Sequence, residues 1–238
     1  LTAVTYEALV YIDKYDTDNV SISTIMGVEQ YLLLRIGDAN FERQQLQFDG
    51  SGSGTQFGKI PSKSDASKKL STGQWYHVAT TYDQATRIAR IYLNGKLLDE
   101  AKDVGVAGSS SENRIRLAPR VTENGKAGEG YCFLVGNSYN PNRSLQGKIA
   151  EIRVWRTARS GQEIWDNMYR IDAPESREDL IGYWKCNDGK GDTVTDYSRY
   201  KNHGKFGAKE QWQITTGISV DKKEPEWAVN VEIPEINK

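Results

Sequence analysis

Sulfur and imidazole are scarce in this chain, which among its 238 residues holds two cysteines, two methionines and two histidines. Cys132 and Cys186 are too few for a disulfide framework and lack the paired spacing of a zinc site. Each lies in an apolar, strand-like run (YCFLV and IGYWKC), where it is either a buried thiol behaving as a small hydrophobe or one half of a mutual disulfide. His77 and His203 fall on separate elements, and no neighbouring residue completes a Cys-His or Ser-His-Asp arrangement. Neither sign of charge dominates: 31 Lys and Arg against 32 Asp and Glu give 31 − 32 = −1. Without a basic stripe there is no electrostatic footprint for nucleic acid. No apolar run approaches the roughly 18 residues of a membrane span, and no charged-then-apolar leader precedes Leu1. A first residue other than Met reads as a processed or trimmed chain, so a missing leader does not imply a cytosolic protein. Internal repeats and low-complexity tracts are also lacking.

Aromatic residues are plentiful by contrast, with 13 Tyr and 6 Trp, a usage that suits β-sheets and sugar-stacking surfaces alike. The run from Gly73 to Glu100, GQWYHVATTYDQATRIARIYLNGKLLDE, is the clearest structural signal. Trp75, His77 and Ala79 point one way and Tyr76, Val78 and Thr80 the other. Ala89, Ile91 and Leu93 repeat the two-residue period before Asn94-Gly95 supplies the positive φ angles of a type I′ hairpin turn. Between Tyr6 and Phe48 four further β segments (TYEALVYI, NVSISTIM, QYLLLRI and RQQLQF) are separated by Asp, Asn and Gly clusters. The Gly- and Ser-rich Asp49 to Gly58 and the polar Pro61 to Gly73 read as a surface excursion, and Pro119 to Gly130 as a rim loop. A chain of this length buries roughly 70% or more of its unfolded surface and needs no covalent staple.

Ser144 to Ser160 (SLQGKIAEIRVWRTARS) alternates Ile149, Glu151, Arg153 and Trp155 against Ala150, Ile152 and Val154, a strand leading into the one expected helix, near 160–171. Ser160 and Glu163 form a capping box, Ile164, Trp165, Met168 and Tyr169 share a face, and Pro174 bars extension much beyond Ile171. The expected fold is therefore all-β, a two-sheet antiparallel sandwich with a single helical insert. It forms one domain over residues 1–238, with a core of about 5–207 and a tail of 208–238.

The strand W-x-H-V-A-x-x-Y-D of Trp75 to Asp83, followed by Y-x-N-G-K at Tyr92 to Lys96, resembles the signature of laminin-G-like, concanavalin A-like jelly rolls. A second element, LIGYWKCNDGKGDTVTDYSRYKNHG from Leu180 to Gly204, is similar to a segment that opens many such domains but here closes the chain. One sandwich accommodates that order if the first and last strands lie side by side. The ending PEINK resembles C-termini of surface lipoproteins from gut Bacteroidetes. The resemblance implies a jelly roll acting as an extracellular or outer-membrane-surface recognition module, most often for a glycan or cell-surface polysaccharide. A surface protein as partner, in an adhesion or structural role, is the alternative, and a glycoside hydrolase or lyase a third reading.

A hydrolase of this fold would need two carboxylates facing one cleft, commonly as E-x-D-x-x-E, and that pattern is missing. Glu151, beside Arg153 on its own face, reads as half of a sheet-surface ion pair. His77 and the Trp75, Trp155 and Trp184 rings match core positions of the family. For sugar recognition the loop Gly136 to Ser144 has a suitable composition: Asn137, Tyr139, Asn140 and Arg143 combine an aromatic face for a CH patch with amide and guanidinium groups for hydroxyls. It is equally the composition of an ordinary turn. Trp212 and Trp227 are alternative platforms, or covers for a sheet edge. The resemblance further implies a structural Ca²⁺ at Asp196, Ser198 and Asn202. Arg199 and Ala150 depart from the family pattern there, and a metal-free Asx-type turn explains the same residues.

Overall fold

A computed structural model describes residues 1–15, 22–29, 31–38, 41–51, 55, 57–106, 114–115, 117, 133–137, 143–206, 226–228 and 231–233. Two antiparallel sheets make the body. In chain order the strands are β1 (Ala3–Ile12), β2 (Ser23–Val28), β3 (Leu32–Ile36), β4 (Leu46–Gly50), β5 (Gly58–Ile60), β6 (Trp75–Asp83), β7 (Ile88–Leu93), β8 (Lys96–Ala101), β9 (Phe133–Val135), β10 (Gly147–Trp155), β11 (Leu180–Trp184), β12 (Thr193–Val194) and β13 (Gly204–Lys205), with helix α1 (Gly161–Asp166) between β10 and β11. The back sheet runs β11-β10-β1-β6-β7-β8 and the front sheet β5-β4-β3-β2-β9, while β12 and β13 form a separate hairpin.

Alternation along the strands builds the core. Val4, Tyr6, Ala8, Val10 and Ile12 of β1 and Tyr76, Val78 and Tyr82 of β6 meet Leu32, Leu34 and Ile36 of β3 and Leu46 and Phe48 of β4 in one buried cluster. The Asn94-Gly95 turn has φ of 50° and 71°, as the sequence predicts. Glycine is required there twice over, because a Cβ on Gly95 would lie 2.6 Å from the Trp165 ring. The hairpin tip thus sits against the α1 segment.

The back sheet is covered on both faces, since α1 and the chain after it pack on its outer side. Ile164 packs on Ala79 and Tyr92, and Trp155 packs with Ile171, Leu180 and Tyr183. Ser160 caps α1 through the expected box with Glu163. The helix stops at Asp166, short of 171, because the main chain and side chain of Asn167 are engaged elsewhere. Its carbonyl accepts from Arg153 Nη1 at 2.7 Å and its Oδ1 from Arg159 Nη2 at 2.6 Å.

A bulge in β10 corrects the expected alternation. Glu7 pairs with Arg153 but Leu9 with Ala150, so Ala8 alone faces residues 151 and 152, and Glu151 takes φ 53°. The extra residue inverts parity. Ile149 thereby joins Ile152 and Val154 against the core, and Ala150 turns outward to Leu9 and Trp75. The closing strand β11 pairs with β10 rather than β1, so the first and last long strands are separated by one strand instead of adjacent.

Candidate functional site

Away from the core, the front sheet carries polar side chains. Leu46 and Phe48 face inward, so Gln47 and Asp49 face outward, as do Leu33 and Arg35 between the inward Leu32, Leu34 and Ile36. Cross-strand pairing aligns Thr24, Arg35 and Gln47 in one rung over β2, β3 and β4. Leu33, Asp49 and Lys59 form the next rung over β3, β4 and β5. Arg35 Nη2 lies 2.6 Å from Asp38 Oδ2 and 2.8 Å from Asp49 Oδ2. The Lys59 ammonium also contacts Asp38 and stands 5.3 Å from the Phe41 ring centre. Two cations and two carboxylates thereby neutralise one another on a rigid sheet.

The loop after β9 extends this face. Beyond Val135 the chain takes over as the neighbour of β2: the Gly136 N–H donates to the Ile25 carbonyl at 2.8 Å, and Ser144 bridges to Thr24. Asn137 and Arg143, two of the four expected sugar-binding residues, are brought to the edge of the Thr24 rung. Asn137 Oδ1 accepts from Ser144 Oγ at 2.8 Å, and Arg143 pairs with Glu29 at 3.1 Å. Tyr139 and Asn140 lie outside the described residues, as do Trp212, the Pro119 to Gly130 loop and Cys132. Thr24, Arg35, Gln47 and Asp49 were not singled out from the sequence. Their signal was the polar residue alternating into otherwise apolar runs, LLLRI and LQFDG.

The expected calcium turn is closed on itself. Asp196 Oδ1 accepts the Tyr183 and Ser198 N–H groups at 2.9 and 2.8 Å. Its Oδ2 accepts the Ser198 hydroxyl at 2.8 Å and the Asn202 N–H at 2.7 Å. An ionised carboxylate has about four lone-pair sites, and protein donors fill them all. His203 Nδ1 accepts the Asp196 N–H at 3.1 Å, and Trp184 Nε1 donates to the Asn202 carbonyl at 2.9 Å. This is the geometry of an Asx-type turn, and its donor set does not fit a resident calcium ion. Among the described residues no group of three or more His, Cys, Asp or Glu is arranged to hold a metal.

A second charged cluster lies under α1, between β1, β6 and β10. Glu7 is fully buried, 2.8 Å from Arg159, 3.3 Å from Arg153 and 3.4 Å from His77 Nε2. Arg153 also pairs with Glu151 at 2.5 Å, and Tyr183 donates its hydroxyl to the same carboxylate. Arg153 is therefore fully buried and Glu151 largely so, with 14% of its side chain exposed, unlike the expected sheet-surface pair. Desolvation pushes the Glu7 carboxyl up, but the His77 interaction and the charges of Arg153 and Arg159 outweigh it and hold it at about 2. Desolvation, with those two guanidiniums, lowers His77 despite Glu7, so the imidazole is neutral. With both carboxylates paired and no opening to solvent at Glu7, the cluster fastens the α1 segment to the sheet. His77 has the packing role expected of it.

Cys186 carries a free thiol, packed beside the core and raised to about 12 by desolvation and by nearby Asp188 and Glu151. Trp227 packs on Phe206 and donates to the Gly191 carbonyl at 2.9 Å, a covering role rather than a free platform.

Two stacked antiparallel sheets with a helical insert on one outer face define a concanavalin A-like β-sandwich. The family described as the concanavalin A-like lectin/glucanases superfamily (Laminin_G_3) matches residues 1–165, and the chain belongs to it. β11 lies past that match yet hydrogen-bonds to β10 in the same sheet. Among solved structures, a Bacteroides ovatus protein whose name assigns it carbohydrate binding by inference shares 27% identity, with a TM-score of 0.62, over 86% of this chain and 51% of its own. Mouse pappalysin-1 is 29% identical over 105 residues, 44% of this chain and 5% of pappalysin-1. The chain thus spans about half of the first relative and a small part of the second.

Proposed function

We propose that this chain is a non-catalytic carbohydrate-recognition module acting at the outer-membrane surface or outside the cell, with its site at the β2 rim of the front sheet. The observation that carries the reading is the half-buried amide of Asn137 and guanidinium of Arg143, held at the β2 edge by Ser144 and Glu29. Such groups match hydroxyls in both donor and acceptor roles. The 27% identical Bacteroides ovatus protein, similar over most of this chain, supports the same ligand class.

Hydrolysis is disfavoured by how the carboxylates are used. Glycosidase chemistry needs one carboxyl protonated and a second free to attack or to activate water. Asp38 and Asp49, the nearest pair on this face, both bind the same Arg35 nitrogen. An adhesion role would favour a contiguous apolar patch, whereas the large exposed apolar side chains among the described residues, Leu97, Tyr200 and Val231, are scattered along the chain. No described helix is long and apolar enough to cross a membrane.

A glycan array followed by calorimetry tests the proposal. At least one neutral glycan is expected to bind with millimolar or better affinity and to be recovered intact. Binding to a surface protein with no glycan bound at that concentration would replace the lectin reading with adhesion, and release of cleaved sugar would make the chain an enzyme.

A further inference from the structure

A cleft of about 520 Å³ opens between β5, an edge strand of the front sheet, and β8, an edge strand of the back sheet. Small-ligand sites span roughly 300–1,000 Å³. β5 lies three strands from β2, about 14 Å away, so the cleft is separate from the β2 rim. Phe57, Ile60, Pro61 and Val104 supply its apolar lining. The Phe57 ring is fixed between those of Phe48 and Tyr82, at centre distances of 5.1 and 4.9 Å. One wall is the exposed run Ser62, Lys63 and Ser64. The buried Gln45 side chain fastens that run, donating to the Lys63 carbonyl at 3.0 Å and accepting the Asp65 N–H at 2.7 Å. Lys68 and Asp99 join across the other wall at 2.9 Å, each with 24% of its side chain exposed.

We infer that this cleft is a second saccharide site, which takes a disaccharide-sized stretch of neutral glycan with a CH face on Phe57 and Pro61 and vicinal hydroxyls on the Lys68–Asp99 pair. It goes beyond the β2-rim site and rests on the carbohydrate reading above. Spare hydrogen-bonding capacity carries it. The Asp99 carboxylate accepts only from Lys68 Nζ and the Glu100 N–H, which leaves about two of its four lone-pair sites for a ligand. Asp196, filled by four protein donors, has none to spare. Lys63 pairs with no carboxylate among the described residues, so its three N–H groups face the cleft's opening as donors. The Ser62 and Ser64 hydroxyls donate and accept. An aromatic ring beside such groups is the usual cradle of a sugar's CH patch. Neutrality follows from the lining, where Lys59, Lys63 and Lys68 are matched by Asp65, Asp99 and Glu100. Hydrogen bonds from Ser67 to Asp65 and from Arg90 to Glu100 hold both carboxyls below their ordinary values. Neither therefore supplies the proton that glycosidic cleavage needs.

The test titrates the whole chain with cellobiose, maltose, lactose, mannobiose and diacetylchitobiose, and with digalacturonate as the anionic control. Binding is followed through the backbone amide resonances of Ser62 to Asp65, which report on the cleft, and of Asn137 and Ser144, which report on the β2 rim. Parent protein is compared with Ser64→Trp, which fills the cleft from an exposed position, and with Asp99→Asn, which removes the carboxylate's charge. At least one neutral disaccharide is expected to shift the Ser62 to Asp65 amides, with an affinity weakened about tenfold or more in Ser64→Trp and several-fold in Asp99→Asn. Shifts confined to Asn137 and Ser144, or cleft affinities within twofold of the parent in both variants, would overturn this inference and leave carbohydrate recognition intact. Tighter binding of digalacturonate in the cleft would overturn the neutral-glycan assignment. No shift of the Ser62 to Asp65 amides with any probe would defeat the second site, and a blank glycan array as well would defeat the broader reading. If Ser64→Trp fails to fold, the parent's amide shifts and Asp99→Asn decide the matter by the same criteria.

Discussion

Glu7 shows what one residue decides. A carboxylate in the middle of β1 would be intolerable unless paired, and two arginines from beyond the β10 bulge converge on it. Replacing Glu7 by Gln leaves both guanidiniums short of a counter-charge, and the expected loss is about 3–5 kcal/mol, the usual effect of breaking a buried pair. The pH dependence has a definite sign. His77 is lowered from its ordinary 6.5, so the unfolded chain takes up its proton first, and stability starts to fall as pH drops below about 6.5. Glu7 is held at about 2 against an ordinary 4.5, so its contribution is complete above 4.5 and disappears as pH falls toward 2. Urea unfolding between pH 8 and 2 should therefore show a two-stage acid decline, with the lower stage flattened in Glu7→Gln. A flat profile from pH 7 to 3 would contradict this account of the cluster. Asp196 belongs at the same scale. Because four protein donors fill its carboxylate, exhaustive chelation should leave the melting temperature unchanged, and Asp196→Ala should cost roughly 2–4 kcal/mol through the orphaned N–H groups.

Between elements, the decisive contact is that of α1 with the back sheet. Six residues cannot hold a helix in water unaided. The Ser160 cap, the Ile164 contact with Ala79 and Tyr92 and the closeness of Trp165 to Gly95 keep it in place. Ser160→Ala should cost about 1 kcal/mol, measurable as a lower urea midpoint. Gly95→Ala should cost more, since it combines strain at positive φ with a clash against Trp165. A Gly95→Ala effect no larger than that of Ser160→Ala would mean that the hairpin and helix are not in contact. The β10 bulge works at this level too: by inserting one residue opposite Ala8 it turns Ala150 outward and Ile149 inward, and so aims Arg153 at Glu7.

For the whole molecule, every strand of both sheets among the described residues lies before Phe206, and the described tail residues pack on the surface. Ile233 covers the Leu9, Trp75 and Ala150 cluster beside Tyr11 and Tyr169, and Trp227 covers Phe206. A chain ending at Phe206 should keep its far-ultraviolet circular dichroism while its tryptophan fluorescence becomes more open to acrylamide quenching. Loss of cooperative unfolding would instead make the tail part of the core.

Strand alternation, the Asn94-Gly95 turn and the Ser160 capping box are local, and the sequence determined them by itself because a period of two, two positive φ angles and a four-residue cap each need only neighbouring residues. The loop Gly136 to Ser144 was legible as a place rich in amides, and Asn137 and Arg143 do reach the front-sheet rim. What the sequence could not reveal was partnership across distance. Only tertiary structure decided that Glu7 meets residues 153 and 159, that the Asp196 carboxylate is saturated by Tyr183, Ser198 and Asn202, and that Thr24, Arg35 and Gln47 share a rung. Register between strands and the position of a single bulge are set by how whole faces pack, and no local stretch of chain encodes that alone.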